Sequence, residues 1–248
     1  MTKGSPAVAV IAGSGVAEHF ELSDEETLST KFGSATVFRS KGRRFYVLPR
    51  HGPGHIVPPH KIDYRANIAG LKSVGVRSVI ATSAVGSMNR RFRVGELGLA
   101  EQFIDFTKSR EGTFYDDTVA HTDMTHPYSG ALNMMILKAA NSIGIRVHEG
   151  LVYVCAEGPR YESAAEIRMF RLLGGDVVGM TGVPEVVLAN EMGISYASVL
   201  IATNWAAGIQ EKVSHDEVMS VMKRSGENVK RLVEATVNIV LGQGGGEA

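Results

Sequence analysis

Cysteine is almost missing from this 248-residue chain, which holds only Cys155. That excludes an internal disulfide framework and any multi-cysteine zinc site, and it suits a reducing cytosol. A charge excess is missing too. Lys+Arg and Asp+Glu each total 26, so general binding to nucleic acid or to a membrane surface has no electrostatic basis, although a local basic site is still compatible. No apolar run reaches transmembrane length. Residues 1–6 are polar, and residues 8–11 are too few for the apolar part of a signal peptide, so a cytoplasmic protein is expected. Hydrophobic residues at 44% against 21% charged leave enough apolar material for a packed core. Glycine is plentiful, at 28 residues. Several lie beside polar residues where apolar runs end, positions that suit close backbone approach to a ligand.

Residues 7–12 (AVAVIA) read as a buried strand opening into Gly13-Ser14-Gly15. Residues 36–39 and 44–48 flank Ser40-Lys41-Gly42-Arg43, a hairpin pattern. A loop over 49–59, rich in Pro, Gly and His, follows. Further strands are predicted over 77–82, 151–155, 176–180 and 195–203. Helices are predicted over 64–74, 134–143, 164–173, 184–192 and 215–241. The last begins after Ser214, a good N-cap with Glu217 at the capping-box position. Residues 242–248 read as a frayed tail. This alternation, with no linker and no repeat, predicts one α/β domain over 1–248, with a central mixed sheet flanked by helices. Ligands of open α/β sheets sit at the carboxyl ends of strands. Ser14, Ser83, Thr181 and Asn204 all lie at such ends, which argues for one shared pocket.

Each motif has a bland alternative. Gly13-Ser14-Gly15 can cradle an anion with backbone N–H groups and a hydroxyl, or be a plain turn. It does not continue as G-x-G-x-x-G, so a dinucleotide fingerprint is not supported. Arg50-His51-Gly52-Pro53-Gly54-His55 offers a guanidinium fork and an imidazole to phosphate, or is a surface loop ordered by proline. Three histidines within residues 51–60 also admit a metal. No acidic or cysteine ligand joins them and their spacing matches no familiar metal motif, so no metal is expected. Tyr161 can stack on a flat ring and Glu162 can accept a ring N–H. Alternatively, Glu162 and Glu166 are ordinary first-turn acids of a helix. Asn204 ends a buried strand and needs partners. No nucleophile elbow surrounds any serine, and Cys155, inside a strand, reads as buried and inert.

In chain order stand Gly13-Ser14-Gly15, Arg50-His51-Gly52, Asn67-Ile68 with Ser83-Ala84-Val85-Gly86, Glu157-Gly158-Pro159-Arg160-Tyr161-Glu162, Gly179-Met180-Thr181 with Val183-Pro184-Glu185, and Ala202-Thr203-Asn204. Together, over nearly the whole chain, they resemble the trimeric purine nucleoside phosphorylase and methylthioadenosine phosphorylase family. The resemblance implies a distorted mixed sheet and a homo-oligomer, either a trimer or a dimer of trimers. It implies inorganic phosphate as co-substrate and no cofactor. Phosphate would lie against Ser14, Arg50, His51, Ser83, Ala84 and Thr181. Met180 would pack under the ribose, Tyr161 near the purine, and Asn204 at its N7 edge. Arg50, His51 and Asn204 would carry the catalysis. His121 would reach the pocket of a neighbouring subunit.

The resemblance also bears on the nucleoside. Family members acting on 6-oxopurines have Glu at the position of Glu162, whose carboxylate suits the N1–H of such a base. Methylthioadenosine enzymes have a small hydroxyl residue there. They place Asp at the positions of Asn204 and Ala206. His215 matches a histidine that bonds a 5′-hydroxyl, or is a helix residue pointing to water. Inosine and guanosine, with their deoxy forms, are therefore the expected substrates. The alternative is a 5′-methylthio nucleoside, because Tyr153-Val154-Cys155-Ala156 and Thr113-Phe114-Tyr115-Asp116 look closer to the methylthioadenosine branch.

Overall fold

Alternating apolar side chains decide the layering. The computed structural model describes residues 7–42 and 45–243. Its strands are β1 (Val8–Ala12), β2 (Leu22–Thr30), β3 (Gly33–Ser40), β4 (Phe45–Pro49), β5 (Ser78–Ser87), β6 (Leu97–Phe106), β7 (Val147–Ala156), β8 (Val177–Gly179) and β9 (Ser195–Trp205). Its α-helices are α1 (Tyr64–Ser73), α2 (Gly130–Ile143), α3 (Ala164–Leu172), α4 (Gly182–Glu191) and α5 (His215–Gln243). β1 sends Ala9 and Ile11 into one core cluster and Val8, Val10 and Ala12 into another. β4 divides in the same way, with Tyr46 and Leu48 on one side and Phe45 and Val47 on the other. Strands buried on both faces need cover on both faces. α1 and α4 supply it through Ile68, Leu71, Val186 and Leu188. α2 and α5 supply it opposite, through Ile136, Met222, Leu232 and Val233.

The sheet is mixed, as expected, and part of it closes. β5 pairs with β8 antiparallel, β8 with β7 parallel, and β7 with β6 parallel. β6 pairs with β9 antiparallel, and β9 returns to β5 parallel. These five strands form a ring, and closure removes their edges. β1, β4, β3 and β2 extend from β5 as an open wing. β1, β4, β5 and β9 run parallel, so their carboxyl ends meet on one side. β8 pairs only with Gly86 and Ser87 at the end of β5, which brings its own end to the same place.

Several boundaries differ from the sequence expectation. β5 runs on through Ser87, five residues beyond the predicted strand, because β9 pairs with it along its length. The register shifts between Val85 and Gly86, leaving Thr203 as an extra residue in β9. Such bulges re-aim neighbouring side chains. β2 and β6 carry no strand signal in the hydrophobic pattern. β2 is an acidic edge, and edge strands are commonly blunted by charge. The predicted hairpin is present as β3–β4, paired at Phe38↔Val47 and Arg39↔Tyr46; Arg43 and Arg44 lie outside the described residues. Only half of the expected capping box begins α5. Ser214 Oγ accepts from Glu217 N at 3.3 Å, but the Glu217 carboxylate accepts from Gln210 Nε2 at 2.7 Å instead of reaching back. The predicted tail starts later than expected, since Gly242 and Gln243 continue α5, and residues 244–248 lie outside the described set. Among the described residues, no helix is long and apolar enough to cross a membrane.

The strand ends are drawn tightly together at Gly13. Its N–H donates to Thr82 Oγ1 at 2.9 Å. A Cβ there would stand 2.5 Å from Thr82 O and 3.1 Å from Arg50 Nη1. Gly13→Ala is therefore expected to lower the unfolding free energy by about 1–3 kcal/mol, the usual cost of overpacking. Denaturant unfolding measures this, and unchanged stability would mean that the β1 and β5 ends separate freely.

Candidate active site

The converging strand ends enclose a cavity of about 540 Å³, a size typical of small-molecule sites. Of the thirteen residues expected in the site, eleven line it: Ser14, Arg50, His51, Ser83, Ala84, Tyr161, Glu162, Met180, Thr181, Asn204 and His215. Two do not. Ala206 is buried behind the wall, its N–H donating to Ser87 O at 2.9 Å. His121 is exposed, in the segment between β6 and α2 that has no helix or strand.

Arg50 follows β4 directly and is buried, so its charge must be met inside the protein. Glu185, on α4, meets it with two bonds, Nε–Oε2 at 2.7 Å and Nη2–Oε1 at 2.8 Å. Both side chains are fully buried. Tyr196 Oη, from β9, donates to Glu185 Oε1 at 2.6 Å. Arg50 Nη1 donates to Thr82 O at 2.7 Å. The attraction of Glu185 outweighs burial and holds the guanidinium above its ordinary range. A guanidinium has five N–H donors. Three are used here, which leaves one on each terminal nitrogen. Ser83 Oγ is buried without a hydrogen-bond partner. Glu185 appears in a quoted sequence motif, but sequence reasoning assigned it no role. A lone Glu near a helix start reads as a dipole-favoured acid, and nothing local marks it as the counter-ion of Arg50.

The loop after Arg50 folds back on itself. His51 Nδ1–H donates to Val57 O at 2.8 Å, and Val57 N donates to His51 O at 2.9 Å. Burial pushes the His51 imidazole down to about 4; Arg50 and His55 push the same way, against the Val57 bond. The rings of His51 and His55 lie 4.3 Å apart, and those of His55 and His215 lie 6.5 Å apart and stacked. His55, not assigned a role from the sequence, therefore joins the other two along one wall.

At the other end, Glu162 and Glu166 take different parts. Glu166 forms the full capping box of α3 with Ser163 and also binds Arg160 at 2.8 and 2.9 Å. Its carboxyl is held down to about 2, first by the Arg160 bond. Glu162 lines the cavity, and its Oε1 is buried without a hydrogen-bond partner. Burial raises its carboxyl above the ordinary range. Asn204 Nδ2 donates to Trp205 O at 2.9 Å, and Thr203 Oγ1 donates to Asn204 Oδ1 at 2.9 Å. A carbonyl can only accept, so the Trp205 bond decides which end of the amide is nitrogen. Cys155 is buried and its thiol pushed up to about 12, as befits an inert core residue.

The model of the phosphorylase superfamily matches residues 7–238. A 6-oxopurine nucleoside phosphorylase of Pyrococcus furiosus is 45% identical over 95% of this chain and 93% of its own. A protein of Methanothermobacter thermautotrophicus described as a probable S-methyl-5′-thioinosine phosphorylase is 44% identical over 93% of this chain and 83% of its own. Among solved structures, a methylthioadenosine phosphorylase from Schistosoma mansoni in complex with adenine superposes with a TM-score of 0.89 at 31% identity, covering 98% of this chain and 93% of its own.

Removing one partner of a buried ion pair leaves the other charge unpaired. Glu185→Ala is therefore expected to cost about 3–5 kcal/mol of unfolding free energy, whereas Tyr196→Phe, which deletes one hydrogen bond, costs about 1 kcal/mol. Denaturant unfolding of both variants tests this ordering. Similar small losses in the two would show that Arg50 finds another partner.

Proposed function

The chain belongs to the phosphorylase superfamily, and from that premise we propose that it cleaves 6-oxopurine nucleosides with inorganic phosphate, as a purine nucleoside phosphorylase. Such an enzyme is a pentosyltransferase. It converts inosine or guanosine, or their deoxy forms, reversibly into free base and (deoxy)ribose 1-phosphate. The observation that carries the choice of base is Glu162, a residue of the cavity lining whose Oε1 is buried without a hydrogen-bond partner. A buried carboxylate oxygen requires a donor. The N1–H of a 6-oxopurine is one, and the bare N1 of a 6-aminopurine is not.

The rest of the cavity supports the same reading. The two remaining N–H groups of Arg50, the Ser14 and Ser83 hydroxyls, Thr181 and the Ser83-Ala84 turn supply an anion site. Phosphate attacks C1′ as the purine departs, through an oxocarbenium-like transition state. No side chain serves as nucleophile. The phosphate charge offsets the ribosyl cation, so catalysis consists of positioning and of stabilising charge on the leaving base. Asn204, its amide held by Thr203 and Trp205, meets N7 as negative charge builds there. Met180 packs under the ribose, Tyr161 lies at the base, and His215 and His55 face the 5′ group. No metal or organic cofactor enters this scheme. A trimer or dimer of trimers, in the cytoplasm, would bring His121 of one copy to the pocket of another. A second reading is S-methyl-5′-thioinosine phosphorolysis. It keeps the 6-oxo base, and Ile56, Val57 and Val218 add apolar surface to the cavity wall.

Assay of inosine, guanosine, adenosine and both methylthio nucleosides, with and without phosphate, separates these readings. Phosphate-dependent release of hypoxanthine is expected, and base release without phosphate would overturn the proposal. In Asn204→Ala, kcat should fall by about 10²–10³-fold, the scale for loss of one transition-state partner, with little change in the KM for phosphate. An unchanged kcat would remove Asn204 from the chemistry.

The raised Glu162 carboxyl adds a pH signature. Ionised, it accepts from a 6-oxopurine; protonated, it can donate to the N1 of adenosine. The adenosine-to-inosine ratio of kcat/KM should therefore rise as pH falls, beginning at a higher pH than an ordinary carboxyl would give. Glu162→Gln should flatten the trend. A wild-type ratio independent of pH would count against Glu162 as the reader of N1.

A further inference from the structure

We propose that His51 selects protonated phosphate, and discriminates against sulfate, by presenting a bare Nε2 lone pair to the bound anion. The inference rests on the phosphate-dependent reading above and assigns His51 a role opposite to that of a donor.

The geometry leaves little choice of tautomer. Nδ1 lies 2.8 Å from the carbonyl oxygen of Val57. A carbonyl has no proton to give, so Nδ1 carries the hydrogen whenever this bond exists. The reciprocal bond from Val57 N to His51 O, 2.9 Å, closes the loop on both sides and keeps the two residues together. The turn between them begins at Gly52, with φ of 73°. In a neutral imidazole with hydrogen on Nδ1, the other nitrogen is an acceptor. Nε2 has no hydrogen-bond partner among the described residues, and the ring lines the cavity.

The surroundings keep the ring neutral. It is largely buried, and the titratable groups that bear on it are Arg50 and His55, each of which disfavours a second positive charge. Arg50 is itself neutralised by Glu185. The anion site therefore works through matched hydrogen bonds more than through net charge. Arg50, Ser14, Ser83 and Thr181 offer donors. His51 alone among these offers an acceptor with no hydrogen to give. Near neutral pH inorganic phosphate always retains at least one proton and can donate it to Nε2. Sulfate retains none. It must either face a lone pair with an oxyanion or bring a proton to His51 from solvent.

Isothermal titration of the full chain with inorganic phosphate and with sulfate, at about pH 8.5 in buffers of different ionisation enthalpy, measures affinity and proton uptake together. Phosphate is expected to bind at least about tenfold more tightly than sulfate, with proton uptake near zero. Sulfate is expected to take up about one proton and to weaken about tenfold per unit rise in pH. In His51→Gln, whose amide both donates and accepts, the preference should shrink to within about threefold while phosphate still binds. The ¹⁵N spectrum of labelled histidine in the free protein should show hydrogen on Nδ1 and none on Nε2. Equal affinities without proton uptake, or hydrogen on Nε2, would overturn the inference. Those outcomes are separate from failure of the broader reading, which would appear as base release indifferent to phosphate.

Discussion

The pocket depends on one buried ion pair. Arg50 follows β4 and Glu185 sits on α4, 135 positions later, yet two bonds of 2.7 and 2.8 Å join them with no exposed side-chain surface on either. Thr82 of β5 and Tyr196 of β9 complete the network. Four elements are thereby tied at one point beneath the cavity. Buried ion pairs are poor sources of stability, because desolvation consumes much of the attraction. What this one achieves is orientation. The carboxylate takes one side of the guanidinium and the Thr82 carbonyl takes another hydrogen. The donors that remain are those on the two terminal nitrogens. A guanidinium able to rotate would present no fixed pair to an anion.

The sheet serves the same end. An all-parallel open sheet would place strand ends along a line. Here β5, β8, β7, β6 and β9 close into a ring, and β1 and β4 run parallel beside β5. Loops after β1, β4, β7 and β8 and the ends of β5 and β9 therefore converge on one volume. One departure from regular strand structure falls at that volume, and others lie at Ser23/Glu26 and along β6 at Gly98–Gln102. The register shift that leaves Thr203 unpaired in β9 lies beside Asn204, whose amide the Thr203 hydroxyl then holds at 2.9 Å. β5 carries Ser83 and Gly86 at positions where an ordinary buried strand would carry larger apolar residues. Small residues at these strand positions leave room beside the cavity that larger apolar side chains would fill.

Much of this was legible in the sequence, for identifiable reasons. AVAVIA at β1 is continuously apolar because both its faces are covered, and that pattern needs no partner to be read. Asp63, Ser129 and Ser163 cap α1, α2 and α3, each accepting from a backbone N–H of the first turn, and α2 begins four residues before the expected 134–143 because the Ser129 cap went unread. The eleven residues that line the cavity follow from motifs in a familiar order. What stayed hidden is long-range. Nothing near Glu185 says that its partner is Arg50, and nothing in Ser83-Ala84-Val85-Gly86-Ser87 says that β9 will pair with it. β2 drew no strand expectation, because an edge strand with a solvated face loses the hydrophobic pattern. Glu217 was matched to a capping box by spacing alone, and Gln210, five positions from Trp205 and bonded to its N–H, claimed its carboxylate instead.

The two acids at the start of α3 show why spacing alone could not settle a role. Glu162 and Glu166 lie four residues apart, chemically alike, and both are plausible dipole partners for the helix. The fold separates them by what else is within reach. Glu166 has Arg160 and the Ser163 backbone, so its charge is met locally and its carboxyl falls to about 2. On Glu162 burial is the larger effect and moves the carboxyl up, against the pull of its own backbone N–H and of the Arg160 charge. Because Glu166 satisfies the helix terminus, Glu162 is free of that duty. Glu162 lines the cavity, and its Oε1 is buried without a hydrogen-bond partner. The acid that caps the helix leaves the other available to the cavity, and the proposed choice between oxo and amino purines rests on that division.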